Sequence, residues 1–462
     1  MFDKNTYIER RHRLQGQLDT GIILLMGNQE SPMNYADNTY RFRQDSHFLY
    51  FFGLDSPGLA GLIDIDEQKT AIYGNELTID DVVWMGPQPT LAERARRVGV
   101  NETTPYGSLE GHLKDALNKG RPVHFLPPYR ADNQILLSQW MDIPINIVKS
   151  RASEALIKAV ISLVSIKSPE EVAEMEKAVN ITRAMHLAAM RRARPGILEA
   201  ELAGIVEGIA LAADGQLSYP AILTVNGQTL HNHYHGNTLK EGQLVLGDFG
   251  AETPTHYAGD ITRTFPVSKS FNTRQKEIYK IVLDTEVACI EALKPGIPYR
   301  DVHLYAARMI TEGLKALGIM KGDTEEAVQA GAHALFFPHG LGHMIGMDVH
   351  DMEGLGEDHV GYGDEMERSS QFGLKSLRLA RTLMPGFVLT VEPGIYFIPE
   401  LIGQWQEERK HWEFINYEKV QQYRNFSGIR IEDNVLITES GHQILGQPIP
   451  KTIQEVEAER QG

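Results

Sequence analysis

The sequence predicts an α/β domain over residues 1–165 followed by an α+β domain with an internal pseudo-two-fold duplication over residues 166–462. Three observations predict it. A chain of 462 residues exceeds what one hydrophobic core organises. Short apolar runs alternate with helical stretches up to about residue 165. Beyond that point two segments each find a second, similar copy further along.

In the first domain, Gly21 to Met26, Ala60 to Ile65, Val123 to Leu126 and Ile145 to Val148 read as strands, and Ser108 to Asn118 reads as a helix. Arg94-Ala95-Arg96-Arg97 reads as the solvated face of a helix rather than a phosphate-binding patch. A boundary follows Lys167, because Ser168-Pro169-Glu170-Glu171 supplies an N-cap, a proline at the first helical position and the glutamate of a capping box. The helix that starts there carries Val172, Met175, Ala178, Val179 and Ile181 at helical spacing. Cys289 lies inside another helical stretch, Ile281 to Leu293, among acidic neighbours that give a thiolate no support, so burial is expected.

The duplication rests on two matches. Arg194-Pro195-Gly196-Ile197 and Lys294-Pro295-Gly296-Ile297 each follow one helical stretch and precede another. The run from Gly242 to Gly250 aligns without gaps on the run from Gly386 to Gly394, and each ends a buried strand with an acid, Asp248 or Glu392. Each half of the second domain thus delivers a carboxylate from the end of a core strand.

Composition excludes several functions. Sixty-one acidic against forty-five basic residues give a net charge of −16, which repels phosphate backbones and argues against nucleic acid as a partner. No apolar run approaches the roughly 20 residues a membrane span needs. Met1-Phe2-Asp3-Lys4-Asn5 carries charge with no apolar stretch behind it, so no secretory leader is read and the cytoplasm is the expected compartment.

The chemistry lies in acids and histidines. Asp248 and Asp260 flank a hairpin running from Leu244 to Phe249, through Thr253-Pro254-Thr255, to Asp260 to Phe265. A symmetric turn would make them direct cross-strand neighbours, needing either a shared proton or a cation between them. Glu432 shares a strand face with Arg430, opposite Ile429 and Ile431, while Pro393 stops pairing just after Glu392. His339 and His343 are four apart, but Gly340 and Gly342 disfavour the helix of a His-Glu-x-x-His zinc motif. The same glycines lack the context of a dinucleotide fingerprint and instead suit close backbone approach. Four carboxylates and an imidazole suit Mn²⁺, Co²⁺ or Zn²⁺, and so much negative charge fits two ions better than one.

Ala258-Gly259-Asp260-Ile261-Thr262-Arg263-Thr264-Phe265, Pro338-His339-Gly340-Leu341-Gly342-His343, Asp348-Val349-His350-Asp351, Thr390-Val391-Glu392-Pro393-Gly394 and Gly428-Ile429-Arg430-Ile431-Glu432 together resemble the proline-specific metallopeptidases of the pita-bread fold. Phe42-Arg43-Gln44-Asp45-Ser46, with Phe51-Phe52-Gly53, resembles the non-catalytic domain of prolidases and aminopeptidases P. The resemblance implies that Asp248 and Asp260 hold one divalent ion and His343 and Glu392 the other, with Asp260 and Glu432 bridging them. It implies attack by a metal-bridging hydroxide, with Glu392 passing a proton to the leaving nitrogen. It further implies that His233 steadies the substrate, that His339 and His350 line its pocket, and that Tyr219 and Arg430 orient the bridging acids.

An Xaa-Pro bond is a tertiary amide without an N–H to grip, and a metal pair polarises its carbonyl directly. Arg378, in Gly373-Leu374-Lys375-Ser376-Leu377-Arg378, resembles the prolidase arginine that binds a dipeptide's C-terminal carboxylate. The expected activity is therefore hydrolysis of Xaa-Pro dipeptides, the alternatives being an aminopeptidase P acting on longer peptides and, further off, a metal-free protein on the same fold. Family likeness also implies a homodimer or tetramer, although the sequence shows no exposed apolar stripe where a contact would form. The twelve-residue separation of Asp248 and Asp260 is one more than usual in the family, so a bulge in the hairpin is expected.

Overall fold

The computed structural model describes residues 1–364 and 366–461. The chain forms two compact units, Met1–Val164 with Met352–His359, and Ser165–Asp351 with Val360–Gly462. Among the described residues no helix is long and apolar enough to cross a membrane.

The first unit is built on a mixed five-stranded sheet ordered Glu102–Thr104, Lys69–Tyr73, Ala60–Asp64, Ile22–Met26, Val123–Phe125. Its core packs Leu24, Leu62, Phe125, Leu113 and Trp140, with the helix Leu109–Asn118 on the sheet. The strand expected at Ile145 to Val148 is instead a 3₁₀ turn, Ile145–Ile147. Pro144 has no N–H for a ladder, and Val148 is the one residue of the four that is fully buried, so a turn suffices to bury it. Arg96 and Arg97 are exposed on the helix Leu91–Arg97, as expected of a solvated face.

An apolar stripe invisible in the sequence also emerges here. A Thr78–Asp81 capping box starts the helix Ile79–Met85, which leaves Ile79 at 77 %, Val83 at 72 % and Trp84 at 86 % exposure.

The second unit shows the duplication. Ser168 caps the helix Pro169–Arg192, accepting from the Glu171 amide while Glu171 accepts from Ser168. Met175, Ala178 and Val179 face the core, whereas Val172 and Ile181 are half-buried at its rim. The helix pair Pro169–Arg192 and Glu199–Ala212 leads to the strand Leu244–Phe249; the pair Thr273–Ala292 and Tyr299–Ala316 leads to Val388–Val391. The turns repeat at backbone resolution. Gly196 donates to the Leu239 carbonyl and Gly296 to the Leu383 carbonyl, each at 2.9 Å, and both glycines adopt positive φ, 93° and 85°. Cys289 is fully buried in its helix, and burial pushes its thiol pKa up.

The first hairpin corrects the expected pairing. Leu244–Phe249 runs antiparallel to Ile261–Pro266 with Asp248 opposite Thr262, not Asp260. The same register continues to Glu252 opposite Ala258, so there is no bulge, and the turn centres one residue later than a symmetric placement of the two acids requires. Asp260 therefore shares a face with Asp248 but lies diagonally from it. Glu432 also differs from expectation: it falls between the strands Gly428–Arg430 and Asp433–Ile437. The alternation nevertheless persists through the break, with Ile429 and Ile431 fully buried on the far side.

Candidate metal centre and its cavity

The strand ends converge on one cavity of about 370 Å³. Its wall contains Asp248, Asp260, His343, Glu392 and Glu432, together with Tyr219, His233, His339, His350, Arg378 and Arg430, so every candidate site residue read from the sequence reaches the same space. Asp248, Asp260, His343 and Glu432 are each at most 8 % exposed.

Local geometry aims these groups inward. His343 uses Nδ1 to donate to the Met344 carbonyl at 3.0 Å, leaving Nε2 facing Asp260 Oδ2 at 3.3 Å and Glu392 Oε1 at 3.5 Å. That hydrogen bond fixes the tautomer in which Nε2 carries the free lone pair. Gly342 permits the approach of this loop to the second core strand, since a β-carbon there would stand 2.1 Å from the Thr390 carbonyl oxygen. Thr390 in turn accepts from the His343 amide at 3.1 Å.

Hydroxyls and one guanidinium orient the acids. Tyr219 donates to Asp248 Oδ1 at 2.5 Å and also contacts Asp260 Oδ1. Arg430 pairs with Asp248 Oδ2 and donates to the Tyr396 hydroxyl at 2.7 Å. The Thr262 hydroxyl donates to Glu432 Oε2 at 2.6 Å. Asn434 brackets Asp260, accepting from its amide at 3.0 Å and donating to its carbonyl at 2.6 Å.

His339 Nδ1 faces the Gly340 carbonyl at 2.8 Å, which leaves Nε2 to accept from the Tyr396 hydroxyl at 2.9 Å. Burial and the Arg430 charge push its pKa down to about 3, so this imidazole is neutral.

The electrostatics show a site built for a cation. Burial, reinforced by Asp260, Glu392 and Asp248, pushes the Glu432 carboxyl well above the usual range. Burial pushes Glu392 up to about 7 against the pull of His343 and Arg430, and it raises Asp248 despite Arg430. For Asp260 burial works in the same direction, but the His343 and Tyr219 hydrogen bonds overcome it and hold the carboxyl below its ordinary value. Acids that destabilise each other's charged forms become favourable neighbours once a cation lies between them. Ligand atoms of Asp260, His343 and Glu432 lie within 4.8 Å of one another, and this buried oxygen-and-imidazole set fits a divalent metal.

Several residues of the site were missed from the sequence. His231 lines the cavity alongside His233, and its pKa is lowered by burial, partly offset by Asp248. The run Leu230-His231-Asn232-His233-Tyr234 offers two histidines at alternating positions, and nothing in the spacing selects between them. Thr262 and Tyr396, which hold Glu432, Arg430 and His339, carried no signal beyond lying in strands.

A duplicated helix-helix-strand unit with these acids at its centre is the pita-bread fold of metal-dependent hydrolases. The description "Metallopeptidase family M24" matches residues 173–439, and "Aminopeptidase P, N-terminal domain" matches residues 7–124. The chain belongs to metallopeptidase family M24 and is a metallopeptidase. It is 32 % identical to the Xaa-Pro dipeptidase of Homo sapiens over 447 residues, covering 95 % of this chain and 88 % of that one. It is likewise 32 % identical to a probable Xaa-Pro aminopeptidase of Metarhizium acridum, covering 93 % and 88 %. The solved structure of aminopeptidase P from E. coli with the inhibitor Pro-Leu superposes with a TM-score of 0.81 at 30 % identity, covering 99 % of this chain and 98 % of that one.

Proposed function

We propose that the chain hydrolyses Xaa-Pro bonds, with dipeptides as its preferred substrates. The observation that carries this reading is the single cavity in which candidate metal ligands share a wall with Arg378. Asp248 and Asp260 would hold one divalent ion, His343 and Glu392 the other, and Asp260 and Glu432 would bridge them. Mn²⁺ is the favoured ion, with Co²⁺ or Zn²⁺ as alternatives, because the donors are mostly carboxylate oxygens. When bound, the ions supply Lewis-acid polarisation of the scissile carbonyl and lower the pKa of water.

The chain's own groups do the rest. Tyr219 holds Asp248 and Asp260 and Arg430 holds Asp248, contacts that would orient these carboxylates toward bound ions. Glu392 carries a proton to the departing proline nitrogen, and His233, His339 and His350 line the substrate's path. Arg378 fixes the substrate by its C-terminal carboxylate, which restricts the site to two residues. The likeness to aminopeptidase P over nearly the whole chain favours a second reading, removal of one residue from longer peptides with proline second. Turnover of Ala-Pro against Ala-Pro-Ala with added Mn²⁺ separates the two. Faster tripeptide cleavage overturns the dipeptidase reading.

The same proposal places the protein in the cytoplasm as a homo-oligomer, dimer or tetramer, for which the exposed helix Ile79–Met85 offers an apolar contact face. Light scattering on Trp84→Glu should then show smaller particles than the unmodified protein.

A further inference from the structure

After His343 the chain makes a tight excursion and returns to the cavity at His350. The Asp351 amide donates to the Met344 carbonyl and the Gly346 amide to the Asp348 carbonyl, both at 3.0 Å. This brings the His350 ring 4.3 Å from the His343 ring, edge to face. At the neck of the excursion Asp351 Oδ2 meets Lys167 Nζ at 2.6 Å, and the two side chains are only 2 % and 1 % exposed.

Lys167 arrives from far away in the sequence, just before the helix Pro169–Arg192, and its amide donates to the Gly386 carbonyl at 2.8 Å. One lysine thus touches both the neck of the histidine loop and the turn that opens the strand leading to Glu392. Gly346 makes room for it, since a β-carbon there would fall 2.5 Å from Asp351 Oδ2 and 2.9 Å from Lys167 Cε.

We propose that Lys167 is a positioning residue for the reaction: through its buried pair with Asp351 it sets the loop that presents His350 beside His343. Removing the ammonium takes a buried cation from beside Asp351, one residue from His350, where neither side chain of the pair is more than 2 % exposed, and the neck must rearrange. His343 is also held from outside the neck, its amide donating to the Thr390 hydroxyl at 3.1 Å and its carbonyl accepting from the Thr390 amide at 3.0 Å, so the ligand set survives the change. The inference rests on the reading of His350 as a substrate-pocket residue.

The test is a double-mutant cycle on the full-length, Mn²⁺-loaded protein, using Lys167→Met, His350→Ala and the two combined, with kcat, KM and bound metal measured for Ala-Pro. Lys167→Met should lower kcat/KM by roughly 10- to 100-fold, the range for groups that orient active-site ligands, with metal content unchanged. In the His350→Ala background the same change should cost less than about threefold, because the residue it positions is gone. Unimpaired activity of Lys167→Met, or an equal loss in both backgrounds, overturns the proposal. If His350→Ala is fully active, the reading of His350 fails and takes this inference with it, an outcome distinct from failure of Lys167 alone. Should Lys167→Met not fold, the paired change Lys167→Met with Asp351→Asn, which breaks the ion pair without leaving a buried charge, enters the same cycle with the same expected non-additivity.

Discussion

The two halves of the second unit share a backbone plan and differ in how they place their acids. In each half a helix pair and a Pro-Gly turn lead to a core strand, which carries Asp248 at its last position but one or is followed immediately by Glu392. In the first half the partner strand returns through a short turn, leaving Asp248 opposite Thr262 and Asp260 diagonal to it. In the second, the partner arrives only after two short helices, Pro399–Glu407 and Tyr417–Gln421. Its register, read from Val391 opposite Asp433 and from Gly394 opposite Arg430, sets Glu392 directly across from Glu432. The position facing the strand-end acid is thus threonine in one half and glutamate in the other, and the Thr262 hydroxyl donates to that glutamate. Two copies of one frame do not give a symmetric site: one half places its acids diagonally, the other places them face to face, and a hydroxyl joins the halves.

The largest expected effect tests whether both arrangements contribute to catalysis. If Asp260 and Glu432 hold metal as proposed, Asp260→Ala and Glu432→Ala should each lower kcat/KM by roughly a thousandfold or more, since losing a ligand forfeits several kcal/mol of metal-derived stabilisation. Dialysis against a chelator should produce the same loss and Mn²⁺ should reverse it, as read by Ala-Pro turnover. A large loss from one substitution and a small loss from the other would show that one half carries the site alone.

A smaller effect probes the bond between the halves. Thr262→Val removes the 2.6 Å donor to Glu432 and should cost about 10- to 100-fold in kcat/KM or metal affinity. Thr390→Val removes two longer contacts, 3.3 Å to Glu392 Oε1 and 3.1 Å from the His343 amide, and should still cost less on both measures. Reversal of that order in paired kinetic and calorimetric titrations would mean that the halves are not joined through Thr262.

Smaller again is a pH effect. Glu392 stands at about 7 against an ordinary 4.5, so below pH 4.5 its protonated form contributes full stability to the metal-free protein, and that contribution is lost as pH rises toward 7. The slope is at most about 1.4 kcal/mol per pH unit for one such group. Melting of the metal-free protein should therefore fall between pH 5 and 7, and Glu392→Gln should flatten the decline. Asp260, held below its ordinary value, acts in the opposite sense, losing stability only as pH falls through the acid range. Metal binding should release protons in the same window, because the acids must ionise to ligate.

How far the sequence revealed all this follows from what each signal depends on. The capping box at Ser168, the paired Pro-Gly turns and the acid-terminated strands are local in sequence, and each appears where local chemistry puts it. The collection of acids and histidines in one cavity was legible because the motifs resemble a family, not because spacing alone requires it. The cross-strand pairing failed at Asp248 and Asp260 because turn placement decides register, and composition does not mark the centre of a turn that contains Pro254, Thr255 and His256. His231, Thr262 and Tyr396 were missed because their roles come from tertiary contacts with groups tens to hundreds of residues away.

The smallest effects separate what the duplication preserves from what it does not. Gly196, Gly296, Gly242 and Gly386 all have φ between 81° and 93°, a region any β-carbon strains. At Gly196 and Gly296 no atom lies within 4 Å of a new β-carbon, so Gly196→Ala and Gly296→Ala should each cost only the backbone strain, about 1 kcal/mol in urea melts, and should match each other. At the second matched pair the surroundings differ: Gly242 faces open space, whereas a β-carbon on Gly386 would stand 2.7 Å from Ile166 Cγ2. Gly386→Ala should therefore cost clearly more than Gly242→Ala. Equal costs at Gly242 and Gly386 would show that the Ile166 contact yields freely, leaving the backbone frame alone to set the energetics of both turns.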